Sequence, residues 1–176
     1  MPVLGPAVMI AFGIVWTFRS LLEVVAHPDF WDPVTLIDHL AVWSYSLGFA
    51  LLAGAVLALV RQAGGGRAAW LAAAGTASMA LLAAGANVVE DALDVDRAST
   101  AYVVGALGTV VGLLSLTVAL AVRRWRHAAV AGLWLIGVPM VTSGFGFLAL
   151  VGSLYAVYGS RAGTATGLDD APTPQG

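Results

Sequence analysis

Five apolar stretches, each long enough to cross a bilayer, constrain this chain more than any other feature. They run over Leu4–Ala26, Leu40–Val60, Ala68–Val89, Ala101–Val122 and Ala128–Val151, the last with an extension towards Tyr158. A spanning helix needs about 20 mostly apolar residues. None of the stretches alternates with the period of two expected of a membrane β-barrel strand. Backbone groups in lipid must be satisfied within their own segment, which leaves helices. The sequence therefore predicts an all-α, polytopic integral membrane protein of the cell membrane. Five transmembrane helices, at about 4–26, 33–60, 68–93, 100–122 and 128–158, form one bundle over 1–158, and a disordered polar tail follows over 159–176. Only 10% of the residues are charged, against about 25% in a soluble domain, so the bilayer is the first partner. Met1–Ser20 lacks a basic n-region and an A-x-A-like cleavage site, and reads as a retained first helix rather than a signal peptide.

Several function classes drop out early. With no cysteine there is no disulfide, thiolate metal site or cysteine nucleophile. No basic patch with interleaved aromatics points to nucleic acid. No P-loop and no G-x-G-x-x-G after a strand points to a nucleotide, and Gly64-Gly65-Gly66 reads as a plain turn. A retinal Schiff base needs a lysine, and the chain has none. His27, His39 and His127 show no H-x-x-x-H or H-E-x-x-H spacing, so neither a metal nor a haem is expected. The expected cofactor is none.

Orientation follows from arginine. Arg61 and Arg67 flank the second loop, and Arg123, Arg124 and Arg126 fill the fourth, whereas the first loop has no arginine and the third only Arg97. The positive-inside rule places loops two and four in the cytoplasm, the N-terminus inside and the C-terminus outside. Of the 10 acidic residues, Glu23, Asp29, Asp32, Asp38, Glu90, Asp91, Asp94 and Asp96 then gather at the outer face, with Asp169 and Asp170 in the tail on the same side. Phe30 and Trp31, together with Tyr155 and Tyr158, are expected as outer interface anchors, and Trp70 and Trp125 as inner ones.

The unusual polar groups converge on that outer half. Arg19, Glu23 and His27 are spaced four apart and share one face of the first helix. Arg19 lies about 22 Å along that helix, within the apolar core rather than at the headgroups. Arg19–Glu23 reads as an i,i+4 ion pair, in the less favourable order. Helix three ends with Asn87, Glu90, Asp91 and Asp94 above a face of small residues, Thr76, Ala80, Ala83 and Ala84, which implies either close helix approach or a cavity. Acids at a helix C-terminus oppose its dipole unless a cation answers them. Helix two is expected to start at an Asp32 N-cap and an N1 proline, Pro33, with Asp38 and His39 in its first turns and Trp43, Ser44, Tyr45 and Ser46 just inside. Gly105, Gly108 and Gly112 give helix four a smooth packing face, and Pro139 is expected to kink helix five.

Three functions fit this pattern. The most specific is an intramembrane acid–base enzyme, of isomerase or cyclase type, acting on a lipophilic small molecule. Glu23, Glu90 and Asp91 with His27 or His39 would be its acid and base groups. Arg19, Asn87, Asp38, Trp43 and Tyr45 would bind and orient. The second is a non-enzymatic accessory or assembly subunit, or an outward-facing sensor, with a membrane-protein partner meeting the glycine face of helix four. The third is proton- or ion-coupled transport. The inner halves of helices one to three hold almost nothing polar beyond Thr17, Thr76 and Ser78, so a pathway would have to use the backbone at 139–146 or an oligomer axis.

Overall fold

The structure, a computed structural model, describes residues 4–25, 35–93, 98–122, 124–139 and 144–165. These form α1 (Leu4–Val25), α2 (Leu36–Ala63), α3 (Arg67–Leu93), α4 (Ala98–Ala121), α5 (Trp125–Gly137) and α6 (Phe147–Ala165). Four of them are long and apolar enough to cross a membrane, over Leu4–Glu23, Leu36–Ala63, Arg67–Glu90 and Thr100–Ala121. The fold is therefore an all-helical bundle compatible with a membrane protein.

Local chemistry sets the helix ends. Helix α2 is capped by Thr35, not Asp32, because T-L-I-D forms a reciprocal capping box. The Asp38 amide donates to Thr35 Oγ1 at 3.2 Å, and the Thr35 amide donates back to Asp38 Oδ2 at 2.8 Å. Asp32 and Pro33 lie outside the described residues. At its other end α2 closes on Gly64, in the left-handed region at φ 60. The Gly64 amide donates to Arg61 O and the Gly65 amide to Val60 O, at 3.2 and 3.0 Å. This is a Schellman closure, in which glycine accepts a φ that a side chain resists. The expected plain turn is thus a built helix terminus, and α3 begins directly after it.

Each helix packs on the next, and α6 returns to α1 to close the ring. The glycine face of α4 is consumed inside the chain. A Cβ on Gly105 would lie 2.5 Å from Ala83 N, and one on Gly112 would lie 2.9 Å from Thr76 Cα. The small face of α3 therefore answers the glycines of α4. The close-approach alternative holds, and this face is not open to a separate protein.

The fifth expected span is two helices. Helix α5 stops after 13 residues, or about 20 Å, as the chain reaches Pro139. The chain then turns back. A Cβ on Gly137 would lie 3.0 Å from Ala149 N, and one on Gly152 would lie 3.2 Å from Leu133 Cβ. Further along, Arg126, His127 and Val130 share a hollow with Tyr155, Ala156 and Gly159. Rising numbers on α5 thus meet falling numbers on α6, which makes the pair an antiparallel hairpin. The Gln62 side-chain amide agrees with this return, since its Nε2 donates to Ala156 O at 2.7 Å. Arg124 Nε donates to Ala63 O at 2.7 Å, at the same end of the bundle. Helix α6 therefore runs out at the end that carries Arg61, Arg67 and Arg124, here called the arginine end. Where the sequence predicts a single helix over 128–158 that ends opposite the arginine loops, α5 and α6 form a hairpin that ends beside them. Tyr155 and Tyr158 move with it, from the acidic end to the company of Trp70 and Trp125. Residues 159–165, expected in a disordered tail, continue α6; residues 166–176 lie outside the described residues.

The hairpin reaches deep. Its turn brings Gly146 against α1, where an added Cβ would lie 2.6 Å from Ser20 Cβ and 2.9 Å from Trp16 O. Ser20 stands about 24 Å along α1 from Leu4. The core fills the space within the ring with Met9, Phe12, Trp16, Phe49, Leu52, Val56, Leu59, Leu113, Leu116, Leu120 and Trp134. The outer faces are apolar as well. Val103, Leu107, Val111, Leu114 and Val118 of α4 are all more than half exposed. In water such a continuous apolar exterior is a liability; in hydrocarbon it is the expected surface.

Candidate functional site: a buried Arg–Glu–Tyr cluster

The helical spacing of four residues does bring Arg19 and Glu23 together, with Arg19 Nη2 donating to Glu23 Oε1. Both are sheltered, with 1% and 10% of their side chains exposed. The Arg19 guanidinium also lies over the Tyr45 ring, 5.1 Å from its centroid, within cation–π range. Two attractions thus answer a charge whose burial costs several kcal/mol, of order 3–5 kcal/mol if one partner is removed. Tyr45 extends the cluster to α4. Its ring is 5.8 Å from that of Tyr102.

Beneath this cluster runs a chain of aromatic rings. Tyr45 meets Trp16 at 5.4 Å and Phe49 at 5.1 Å. Trp16 meets Phe12 at 5.8 Å, and Phe12 meets Trp134 of α5 edge-on at 5.4 Å. Both indoles also satisfy backbone at the hairpin. Trp16 Nε1 donates to Gly137 O at 3.0 Å, and Trp134 Nε1 donates to Ala149 O at 3.2 Å. Gly137 lies where α5 ends, so its carbonyl is one of those a helix terminus leaves without an intrahelical donor. Interior irregular backbone is tolerated only when buried in protein or lining water. Here the Trp16 indole and the face of α1 bury it.

A second polar set lies one residue further along α2. Asn87 is buried, and its Nδ2 donates to Ser46 Oγ at 2.8 Å and to Val42 O at 3.3 Å. It ties α3 to α2. Asp38 is fully buried in its capping box, where Thr35 Oγ1 also donates to Oδ2 at 2.8 Å. Tyr45 and Ser46, consecutive on α2, therefore divide the polar groups into an Arg19 set and an Asn87 set.

The remaining expected site residues separate from these. Trp43 is 49% exposed on the outer surface of α2, and His39 is exposed as well. Trp43 is thus a surface tryptophan rather than a lining residue, because a step of two from Tyr45 turns it to the opposite face. Glu90 is half-buried at the acidic end. Asp91 falls within α3, but its side chain, like the whole of His27, lies outside the described residues. Among the described residues no three metal-ligating side chains come together. Sequence reasoning missed Tyr102 and the Trp16–Gly137 link. Tyr102 carries a weak signal, as a polar aromatic one turn inside an otherwise apolar helix. The Trp16 link carries none, because its partner is a backbone carbonyl 121 residues away.

Comparison with protein-family models, with curated proteins and with solved structures finds no match to this chain. The reading of the site therefore rests on its own geometry.

Proposed function

We propose that the protein is a multi-pass cell-membrane protein with four crossings and a re-entrant hairpin, working as a non-catalytic subunit of a membrane assembly. In this reading the arginine end faces the cytoplasm by the positive-inside rule. The N-terminal end of α1 and the outgoing end of α6 share that side. One observation carries the functional part: the polar groups of the cluster are engaged in holding helices. Glu23 answers Arg19, Arg19 covers Tyr45, the Tyr45 ring packs on that of Tyr102, and Asn87 ties α3 to α2. An acid–base enzyme would need Glu23 to give up or take a proton during turnover. Each protonation would leave a buried guanidinium without its counter-charge.

Two experiments test this. The chain has no cysteine, so single cysteines report sidedness directly. Gly66→Cys and Tyr158→Cys should be labelled from one side of intact cells, and Leu36→Cys and Thr100→Cys from the other. Labelling of Tyr158→Cys with Leu36→Cys would restore a fifth crossing. For function, Glu23→Gln expressed in the source organism should leave its lipophilic metabolites unchanged. Accumulation of one lipophilic species in both a deletion strain and a folded Glu23→Gln strain, cleared by the native chain, would return the acid–base enzyme to first place.

A further inference from the structure

At the arginine end, far from the Arg19 cluster, the two limbs of the hairpin leave a hollow of about 160 Å³ lined by Arg126, His127, Val130, Tyr155, Ala156 and Gly159. Small residues on α6 open it, since neither Ala156 nor Gly159 carries enough side chain to fill the gap. Its lining is divided in character. Val130 and Ala156 are buried and apolar, while Arg126 and Tyr155 are exposed and His127 is half-buried. An Arg, an imidazole and a phenol at the mouth can meet an anion, and the apolar wall can meet hydrocarbon.

Its position narrows the ligand further. Trp125 is 66% exposed, Tyr158 53%, Trp70 42% and Tyr155 40%, all at this end of the bundle. Exposed tryptophan and tyrosine at one level mark a membrane interface, where lipid headgroups sit. The Arg126 guanidinium lies 5.7 Å from the Trp125 ring centroid, so it is held at that level. Arg124 is close by, fixed to Ala63 O. The acidic residues of the described helices, Glu23, Asp38, Glu90 and Asp91, belong to the opposite end, so the charged residues of the described helices at this end are arginines.

We propose that this hollow binds a phosphate group, with an anionic phospholipid headgroup as its source, the phosphate against Arg126, His127 and the Tyr155 hydroxyl and the first acyl carbons along Val130 and Ala156. Basic pockets between helices on the cytoplasmic side are suited to such headgroups. The site depends on the membrane placement of the arginine end but not on the subunit role proposed above.

The test uses the full chain in nanodiscs of phosphatidylcholine, with phosphatidylglycerol titrated in, read by thermal stability and by lipid retained in native mass spectrometry. Phosphatidylglycerol should raise the unfolding temperature and remain bound. Arg126→Gln should weaken its apparent affinity about fivefold, the effect of one interfacial arginine. His127→Gln, as a second variant, should weaken it in the same direction. Arg61→Gln, at the same end but outside the hollow, should leave it within about twofold, since it contributes only through the screened field. Equal losses in Arg61→Gln and Arg126→Gln would reduce the effect to diffuse surface charge and overturn the site. Inorganic phosphate added to the neutral nanodiscs identifies the source. Protection by phosphate alone would place a soluble anion on the same residues. Protection by neither phosphate nor phosphatidylglycerol overturns the proposal. The cysteine labelling above reports membrane placement separately, so failure of one does not conceal failure of the other.

Discussion

The α3–α4 seam and the junction of α1 with the hairpin hold helices together by different means. At the seam, backbones come close because Gly105 and Gly112 have no side chains to keep Ala83 and Thr76 away. At the junction, larger groups make specific bonds: the Trp16 indole on Gly137 O and the aromatic contact of Phe12 with Trp134, while the Arg19–Glu23 pair lies further along α1, against Tyr45 of α2. In hydrocarbon, water does not drive helices together, so contact depends on close packing or on polar bonds. The seam uses the first and tolerates no added volume. The junction uses both, since Gly13 and Gly146 also press against the partner backbone, and it has groups whose removal leaves a debt of unsatisfied charge or carbonyl.

The largest effect should come from splitting the buried pair. Glu23→Met leaves Arg19 buried beside Tyr45 and is expected to cost about 3–5 kcal/mol of stability in nanodiscs. The double variant Arg19→Met with Glu23→Met should recover most of that loss, because an apolar pair of similar volume suits the interior. If the double variant is as unstable as the single one, the loss is the net contribution of the pair itself and not the cost of an unpaired charge.

Next comes the seam. Gly105→Ala places a methyl against Ala83 N and Met79 O, at 2.5 and 2.8 Å, and backbone cannot rotate away. The expected loss is about 1–3 kcal/mol, from overpacking. Gly108→Ala meets only the flexible Met79 side chain, at 2.7 Å, and should cost less. Gly75 and Gly85, on α3, have nothing within 4 Å. Replacing either by alanine should stabilise by up to about 1 kcal/mol through helix propensity. Four glycines on two adjacent helices thus separate by sign and size, and a uniform response would break the account of the seam.

At the junction, Trp16→Phe keeps a ring but removes the donor to Gly137 O. An unsatisfied buried carbonyl costs about 1–3 kcal/mol. Hydrogen exchange should rise first at the end of α5, while the α3–α4 amides stay protected. Equal exchange in both regions would show that the indole does not pin the hairpin.

The seam was far more legible than the junction. Glycines at 105, 108 and 112, facing small residues on α3, announce close approach whatever lies elsewhere. Apolar runs likewise located α1 to α4 within a few residues, because length and composition alone define a candidate span. The Arg19–Glu23 pair followed from helical spacing. Pro139 was different. Proline ends a helix locally, but whether the chain then bends or reverses depends on what receives it, and here the receiver is Trp16 and Ser20 of α1. The same long-range fact decides the level of Tyr155 and Tyr158. The facing of Trp43 and Tyr45 was hidden for another reason. A helix that is apolar all round carries little phase information, so two nearby aromatics could not be sorted into surface and core. Thr35 was legible in principle, since T-L-I-D has capping-box form, but Asp32-Pro33 offered a competing start.

The smallest expected effect belongs to the mouth of the hairpin. His127 is held below its ordinary value of 6.5 by partial desolvation and, after that, by the nearby Arg124. The unfolded chain therefore binds a proton there more readily than the folded one. Stability from this group is full above pH 6.5 and falls as acid carries the pH down through the folded value. His127→Gln should flatten that part of the pH profile and leave the neutral-pH stability nearly unchanged. Arg124 acts on the imidazole, and Arg126 and Tyr155 line the same hollow, so a phosphate entering it would oppose the two cations. Added phosphatidylglycerol should then reduce the acid sensitivity of the native chain and have no such effect on His127→Gln. An unchanged acid slope with lipid would show that the anion does not reach the imidazole, and would confine the site to Arg126 and the outer rim.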